Sequence, residues 1–207
     1  MARSFFVTID GPKGVGKSTL FRNLHALLSP RVALACHVEK DIDPQRDVVS
    51  QVLRAAGAAL TPDEEHSLAT LMAQGRAWIT ETVIVPAQAD VLLFDRWYPS
   101  DAAFRRYIPF IECLSLNQAA GAAMPDLVLA AQCRSAESWR RAHCRAKGFD
   151  SLVIHDFKDH CRSTDRFRAT AAQQGWTEVQ MEAPAAEIAD HVAALIVERM
   201  TISQSHT

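Results

Sequence analysis

Short apolar runs alternate along the chain with longer stretches whose apolar positions recur every three or four residues. The short runs are Phe5 to Ile9, Val32 to Val38, Val91 to Phe94, Leu127 to Ala131 and Glu178 to Met181. The gaps between them are wide enough for crossover helices, which parallel strands require. Largely continuous apolar runs, rather than strict alternation, belong to strands covered on both faces. The pattern predicts a five-stranded parallel sheet between two helical layers, a three-layer α/β/α fold. From Pro62 to Val85, the positions Leu68, Leu71, Met72, Ile79 and Val83 are close to helical spacing. Thr61-Pro62-Asp63-Glu64 opens that helix: Thr61 can cap it, Pro62 suits its first turn and Glu64 completes a capping box. Pro86 closes it. A last helix is predicted from about Ala185 to Met200, with Ile188, Val192, Leu195 and Ile196 on one face. With no repeat and no low-complexity linker, residues 1–207 are expected to form a single domain.

Composition narrows the function classes. Of 207 residues, 48% are apolar and 22% charged, as in a soluble globular protein. A net charge of -2 argues against a nucleic-acid surface as the main business, so local arginine clusters call for a smaller anionic ligand. No apolar run approaches the ~20 residues of a membrane span, and the first strand begins too early for a leader peptide. Cys36, Cys113, Cys133, Cys144 and Cys161 are scattered and never form a C-x-x-C pair, which suits reduced thiols in a cytoplasm. His155, His160 and Cys161 lie close in sequence but match no zinc spacing, so no structural metal is expected.

After the first strand comes Gly11-Pro12-Lys13-Gly14-Val15-Gly16-Lys17-Ser18-Thr19, which fills every fixed position of the G-x-x-x-x-G-K-[ST] phosphate-binding loop. Glycines let successive backbone N–H groups converge on phosphate oxygens, and the following helix N-terminus adds partial positive charge. Gly11, Lys13, Gly14, Gly16, Lys17, Ser18 and Thr19 are therefore the expected nucleotide contacts. Lys17 can reach the β- and γ-phosphates, and the Ser18 hydroxyl can ligate Mg²⁺.

Ligands of open parallel sheets sit at the carboxyl ends of the strands. The positions to inspect are Asp10 and the loop, Glu39 to Pro44, Asp95 to Asp101, and the arginine-rich segment Arg134 to Lys147. Asp95 and Arg96 end a buried strand, where charge is costly unless a ligand or partner uses it. Asp95 can support Mg²⁺ or its water shell, and Arg96 can grip an acceptor phosphate or neutralise charge during transfer.

These motifs give the chain a resemblance to thymidylate kinases, and more broadly to nucleoside monophosphate kinases, from Phe5 to about Gly148. Asp95-Arg96-Trp97 matches the family's D-R-Y/H motif, and Ser100 falls on its following serine. Leu71 to Arg76, with Ile84-Val85-Pro86-Ala87 downstream, matches its arginine-bearing helix, and Pro125-Asp126-Leu127-Val128 matches its P-D-L-T strand start. The resemblance implies a P-loop kinase that moves the γ-phosphate of ATP, with Mg²⁺, to a nucleoside monophosphate. It assigns Arg76 and Arg96 to the acceptor phosphate, Ser100 and Phe104 to the nucleoside pocket, and Asp95 to Mg²⁺. It also implies a lid over about residues 134–148 that closes on ATP through Arg140, Arg141 or Arg145, and a possible homodimer.

The chain departs from the family at several positions. Lys13 stands near the loop's usual acid, Glu39-Lys40-Asp41-Ile42-Asp43-Pro44 replaces R-E-P-G-G, and Gln132 and Arg134 replace acids. Arg105 replaces a glutamine. These changes touch sugar, acceptor and base recognition more than ATP binding. Deoxynucleoside kinases share the fold and carry E-R-S-x-x-S-D where this chain has Asp95 to Asp101. In that alternative, Glu39 is the general base for a sugar or other small-molecule hydroxyl. A nucleotide-dependent switch without an acceptor pocket is the third possibility; the acceptor-side Arg76 and Arg96 argue against it.

Overall fold

The computed structural model describes residues 3–57, 60–144 and 152–205. Five parallel strands form one sheet in the order β2-β3-β1-β4-β5. They are β1 (Phe5–Asp10), β2 (Leu34–Val38), β3 (Val91–Asp95), β4 (Leu127–Gln132) and β5 (Thr177–Gln180). Helices α1 (Lys17–Leu28) and α9 (Ala185–Ser205) cover one face. Helices α4 (Pro62–Ile79), α6 (Phe110–Ala120) and α8 (Phe157–Gln174) cover the other, with shorter α2 (Glu39–Ile42), α3 (Arg46–Ala56), α5 (Asp101–Phe104) and α7 (Ser135–His143) around the carboxyl edge. The three-layer α/β/α expectation is met.

Burial explains the strand composition. Every residue of β1, β3 and β4 is buried. Val7, Ile9, Leu93 and Leu129 meet Leu20 and Leu24 of α1 and Val192 and Ile196 of α9 on one face. Phe6, Leu92, Phe94 and the wholly buried Trp97 form the opposite core, their rings packed edge to face at 5.1–5.6 Å. Trp97 is therefore core, and Tyr107 is exposed.

The capping box forms as read: Thr61 Oγ1 accepts from the Glu64 N–H, while the Glu64 carboxylate accepts from the Thr61 N–H. The long helix differs from expectation. α4 ends at Ile79 and continues as a π-helical turn over Thr80–Ile84 before Pro86. The Thr80 hydroxyl donates to the Arg76 carbonyl and accepts the Ala123 N–H, which ties this irregular turn to the loop after α6. β2 begins at Leu34 rather than Val32, and α9 runs on to Ser205. No helix among the described residues is long and apolar enough to cross a membrane.

The strand order fixes where a ligand sits. β1 lies between β3 and β4, so the chain leaves β1 at the point where neighbouring crossovers part to opposite sides. The phosphate-binding loop occupies that crevice.

Candidate active site

The loop is shaped by close backbone approaches. Gly14 has φ 86°, and a Cβ there would overlap the carbonyl oxygen of Ser138 in α7. A glycine at this position lets α7 lie directly on the loop. Gly11 makes a comparable approach to the Ala131 carbonyl at the end of β4. Gly16 precedes the first residue of α1, so the helix N-terminus points into the loop.

Side chains complete the donor side. Lys17 is buried, and its Nζ donates to the carbonyls of Gly11 and Pro12 at 2.8 and 2.7 Å. Lys13 is half-buried within the loop, and Ser18 and Thr19 are exposed at the start of α1. The Ser18 hydroxyl donates to Asp95 Oδ2 at 3.2 Å. A hydroxyl beside a carboxylate is a hard-oxygen pair of the kind Mg²⁺ prefers, so these residues fit that ion.

A cleft of ≈ 400 Å³ opens beside the loop, lined by Gly14, Gly16, Thr19, Arg141, Met181 and Ile188 among others. Arg141 spans it. Its Nε donates to Glu137 at 2.7 Å, and its Nη1 donates to the carbonyls of Met181 at 3.0 Å and Val15 at 3.4 Å. Arg140 also binds Glu137, and these two arginines hold the Glu137 carboxyl down at about 2. Of the predicted lid arginines, Arg141 thus reaches the loop, and Arg145 lies outside the described residues.

On the acceptor side, Arg96 is the one residue other than glycine with positive φ (77°) among those described. Its Nη1 donates to the Gly11 carbonyl at 3.3 Å and to Ser100 Oγ at 3.2 Å, and its guanidinium lies 5.1 Å from the centre of the Phe104 ring. The structure therefore brings Arg96, Ser100 and Phe104 together at the rim of the loop. Asp10 lies beneath them, wholly buried; its Oδ1 accepts from Ser100 Oγ at 2.6 Å and from the Trp97 N–H at 3.0 Å.

Arg76 and Glu39 form a second group. Arg76 is 1% exposed; its Nε donates to Glu39 Oε1 at 2.5 Å, and its Nη1 donates to Asp101 Oδ2 at 2.6 Å and Asn117 Oδ1 at 3.2 Å. Arg105 closes the set by donating to Asp101 Oδ1. Burial alone would lower the Arg76 pKa, but the Asp101 and Glu39 carboxylates more than reverse this and raise it. Burial pushes the Glu39 carboxyl up despite Arg76, whereas the two arginines overcome burial at Asp101 and hold it down. Glu39 is thus a buried, ion-paired acid at the start of α2, and Arg105 faces Asp101.

Three participants went unassigned in the sequence. Asp101 and Asp10 stood in inspected segments, but only their burial beside Arg76 and Ser100 singles them out. Asn117 lies mid-helix with no local signal.

The thymidylate kinase family model matches residues 9–192. Thymidylate kinase of Xanthomonas oryzae pv. oryzae is 31% identical over 163 residues, covering 76% of this chain and 68% of the relative. The Acinetobacter baylyi thymidylate kinase is 32% identical over 130 residues, covering 59% and 63%, respectively. That of Lacticaseibacillus casei is 30% identical over 132 residues, covering 60% and 61%. The matched span runs from the end of β1 into α9 and takes in both halves of the crevice. With the loop, the Ser18–Asp95 pair and Arg96 in place, the chain belongs to the thymidylate kinase family and is a phosphotransferase that uses ATP and Mg²⁺.

Proposed function

We propose that the acceptor is a deoxynucleoside monophosphate, with thymidylate, the substrate named for the relatives, first among them. The observation that carries this reading is the placement of Arg96. Its guanidinium rests on the Gly11 carbonyl of the donor loop and on Ser100, with the Phe104 ring beside it. An acceptor phosphate held by Arg96 therefore lies next to the γ-phosphate that the loop holds. Ser100 and Phe104 form the adjoining nucleoside wall.

The reaction needs little covalent help. An acceptor phosphate oxygen is already ionised, so it attacks the γ-phosphorus without a base as the bond to ADP breaks. Lys17 turns from the Gly11 and Pro12 carbonyls onto the β- and γ-phosphates. Ser18 and Asp95 would hold Mg²⁺, which would supply positive charge against the phosphate oxygens. Arg141 brackets ATP from the α7 side, and Arg96 fixes the acceptor and offsets charge as it shifts between the two phosphates. Arg76, tied to Glu39, Asp101 and Asn117 through its Nε and Nη1, shapes the pocket wall from behind.

One observation favours a second reading. Glu39 is a buried carboxylate with a raised pKa at the end of β2, where a hydroxyl acceptor would need a base. Coupled ADP release with deoxynucleoside monophosphates, free nucleosides and no acceptor separates the two. The expected result is turnover with a monophosphate and near-background release with nucleosides; the reverse order would overturn the assignment. We further propose a single kinase domain acting in the cytoplasm as a homodimer; light scattering on the purified chain should give twice the chain mass, and a monomer mass would reject the dimer.

A further inference from the structure

The backbone of Arg96 is strained. Side-chain-bearing residues avoid left-handed φ at a cost of ~1–3 kcal/mol, and such strain persists only where its surroundings enforce it. Arg96 sits at φ 77°, and its own N–H donates to the Ile9 carbonyl at 3.1 Å. The next N–H, that of Trp97, donates to Asp10 Oδ1 at 3.0 Å. The same oxygen accepts from Ser100 Oγ at 2.6 Å, and Ser100 Oγ in turn accepts from Arg96 Nη1 at 3.2 Å. One carboxylate oxygen thus grips the backbone beyond the strained residue and the hydroxyl on which its guanidinium rests.

Asp10 gives up stability to do this. It is 0% exposed, and among the described residues its second oxygen, Oδ2, makes no hydrogen bond of good geometry, although the nearby Thr8 hydroxyl offsets part of the cost of burying the carboxylate. An under-satisfied buried acceptor costs up to about 1–3 kcal/mol, and burial drives the Asp10 carboxyl pKa up against the hydrogen bonds of Ser100, Thr8 and Trp97. A residue kept only for the fold would be better as an apolar side chain or a fully satisfied amide.

We propose that Asp10 is a positioning residue for phosphoryl transfer: through the Trp97 N–H and the Ser100 hydroxyl it holds Arg96 in the left-handed conformation that aims its guanidinium at the acceptor phosphate. The inference rests on Arg96 being the acceptor-phosphate residue. Displacing a positioned group by about 1 Å costs roughly 100-fold in rate, which sets the scale for losing Asp10.

The test is a double-mutant cycle on the full chain with ATP and the best monophosphate acceptor. Asp10→Ala is expected to lower kcat/KM for the acceptor about 100-fold, leaving KM for ATP unchanged. In an Arg96→Ala background the same change should cost less than about 3-fold, because the two residues act as one unit. Asp10→Asn keeps an acceptor oxygen for both donors, so it should recover most of the activity and melt no lower than the parent. Additive effects in the cycle, or an Asp10→Ala loss shared equally by ATP, would overturn the proposal. A crystal structure of Asp10→Ala reads the conformation directly: Arg96 should relax to negative φ, and its retention near 77° would reject Asp10's role. Should no monophosphate turn over in the parent enzyme, the acceptor reading fails, while the crystal structure still decides what Asp10 does. If Asp10→Ala does not fold, Ser100→Ala cuts the same relay and takes its place in the cycle and in the crystal.

Discussion

On the donor side, the chain meets phosphate with backbone: Gly11 to Thr19 needs little more than glycine, one lysine and a helix start. Across the crevice, the acceptor side is walled by charged side chains from α2, α4 and α5 and the amide of Asn117 from α6, with Arg105 beyond α5. A backbone site is written in consecutive residues and tolerates change around it. A side-chain network exists only once the fold has brought distant residues together, and each member depends on the rest.

The largest effect should come from the donor lysine. Lys17→Ala is expected to abolish detectable transfer, a loss of at least about 10³-fold, with an unchanged melting curve. An equivalent fall in stability would mean that the Gly11 and Pro12 contacts matter more to folding than to catalysis.

Arg76→Ala should behave in the opposite way. Removing one partner from a buried ion pair costs about 3–5 kcal/mol, so the first readout is a lower melting temperature or insoluble protein. A folded variant with normal stability and only a raised acceptor KM would make Arg76 a substrate ligand instead of a wall.

Gly14→Ala probes the contact between loop and α7. The added methyl strains a residue at φ 86° and drives Ser138 away, so KM for ATP should rise about 10-fold as α7 and Arg141 shift. Acceptor KM should stay put; a shift there would mean the two halves are less separate than drawn.

Glu39→Gln is expected to lower kcat with a monophosphate by less than about 10-fold, since no base is needed. A loss of 10²–10⁴-fold, the usual weight of a general base, would favour the hydroxyl acceptor.

The smallest effect is in stability against pH. The folded pKa of Asp101 lies below its ordinary 3.8, so its contribution is present above that value and fades as pH falls through the folded one. Asp10 is raised, so its contribution is full below 3.8 and is lost as pH climbs through the folded value. Melting temperatures should therefore drift in favour of Asp10→Asn over the parent between pH 4 and 7, on the order of 2–4 °C. A flat difference would mean that the buried carboxylate titrates normally.

The sheet, the loop, the Thr61–Glu64 cap and the Ser18–Asp95 pair were all legible, because each rests on local spacing or on a strand end that the topology must bring to the crevice. The π-helical turn at Thr80 was not, since Thr82 to Val85 reads as ordinary helix until Thr80 is seen bonded to Ala123. The burial of Glu39 was not legible either, because it depends on Arg76, 37 residues away. Arg105, where the resemblance puts a glutamine, has Asp101 as its partner, four residues earlier on its own turn. The strain at Arg96 was invisible in sequence, since nothing in Asp-Arg-Trp announces a left-handed arginine.

The closed set of Arg76, Arg105, Glu39 and Asp101 carries two positive and two negative charges. Exchanging any one of them alone leaves an uncompensated charge in a dry interior, so lineages cannot reshape this wall one residue at a time. New acceptor preferences would have to arrive as paired replacements or begin at the rim, around Phe104 and Ser100, where a single change is survivable. The interior ion network acts as an evolutionary ratchet: it narrows which relatives this pocket can become.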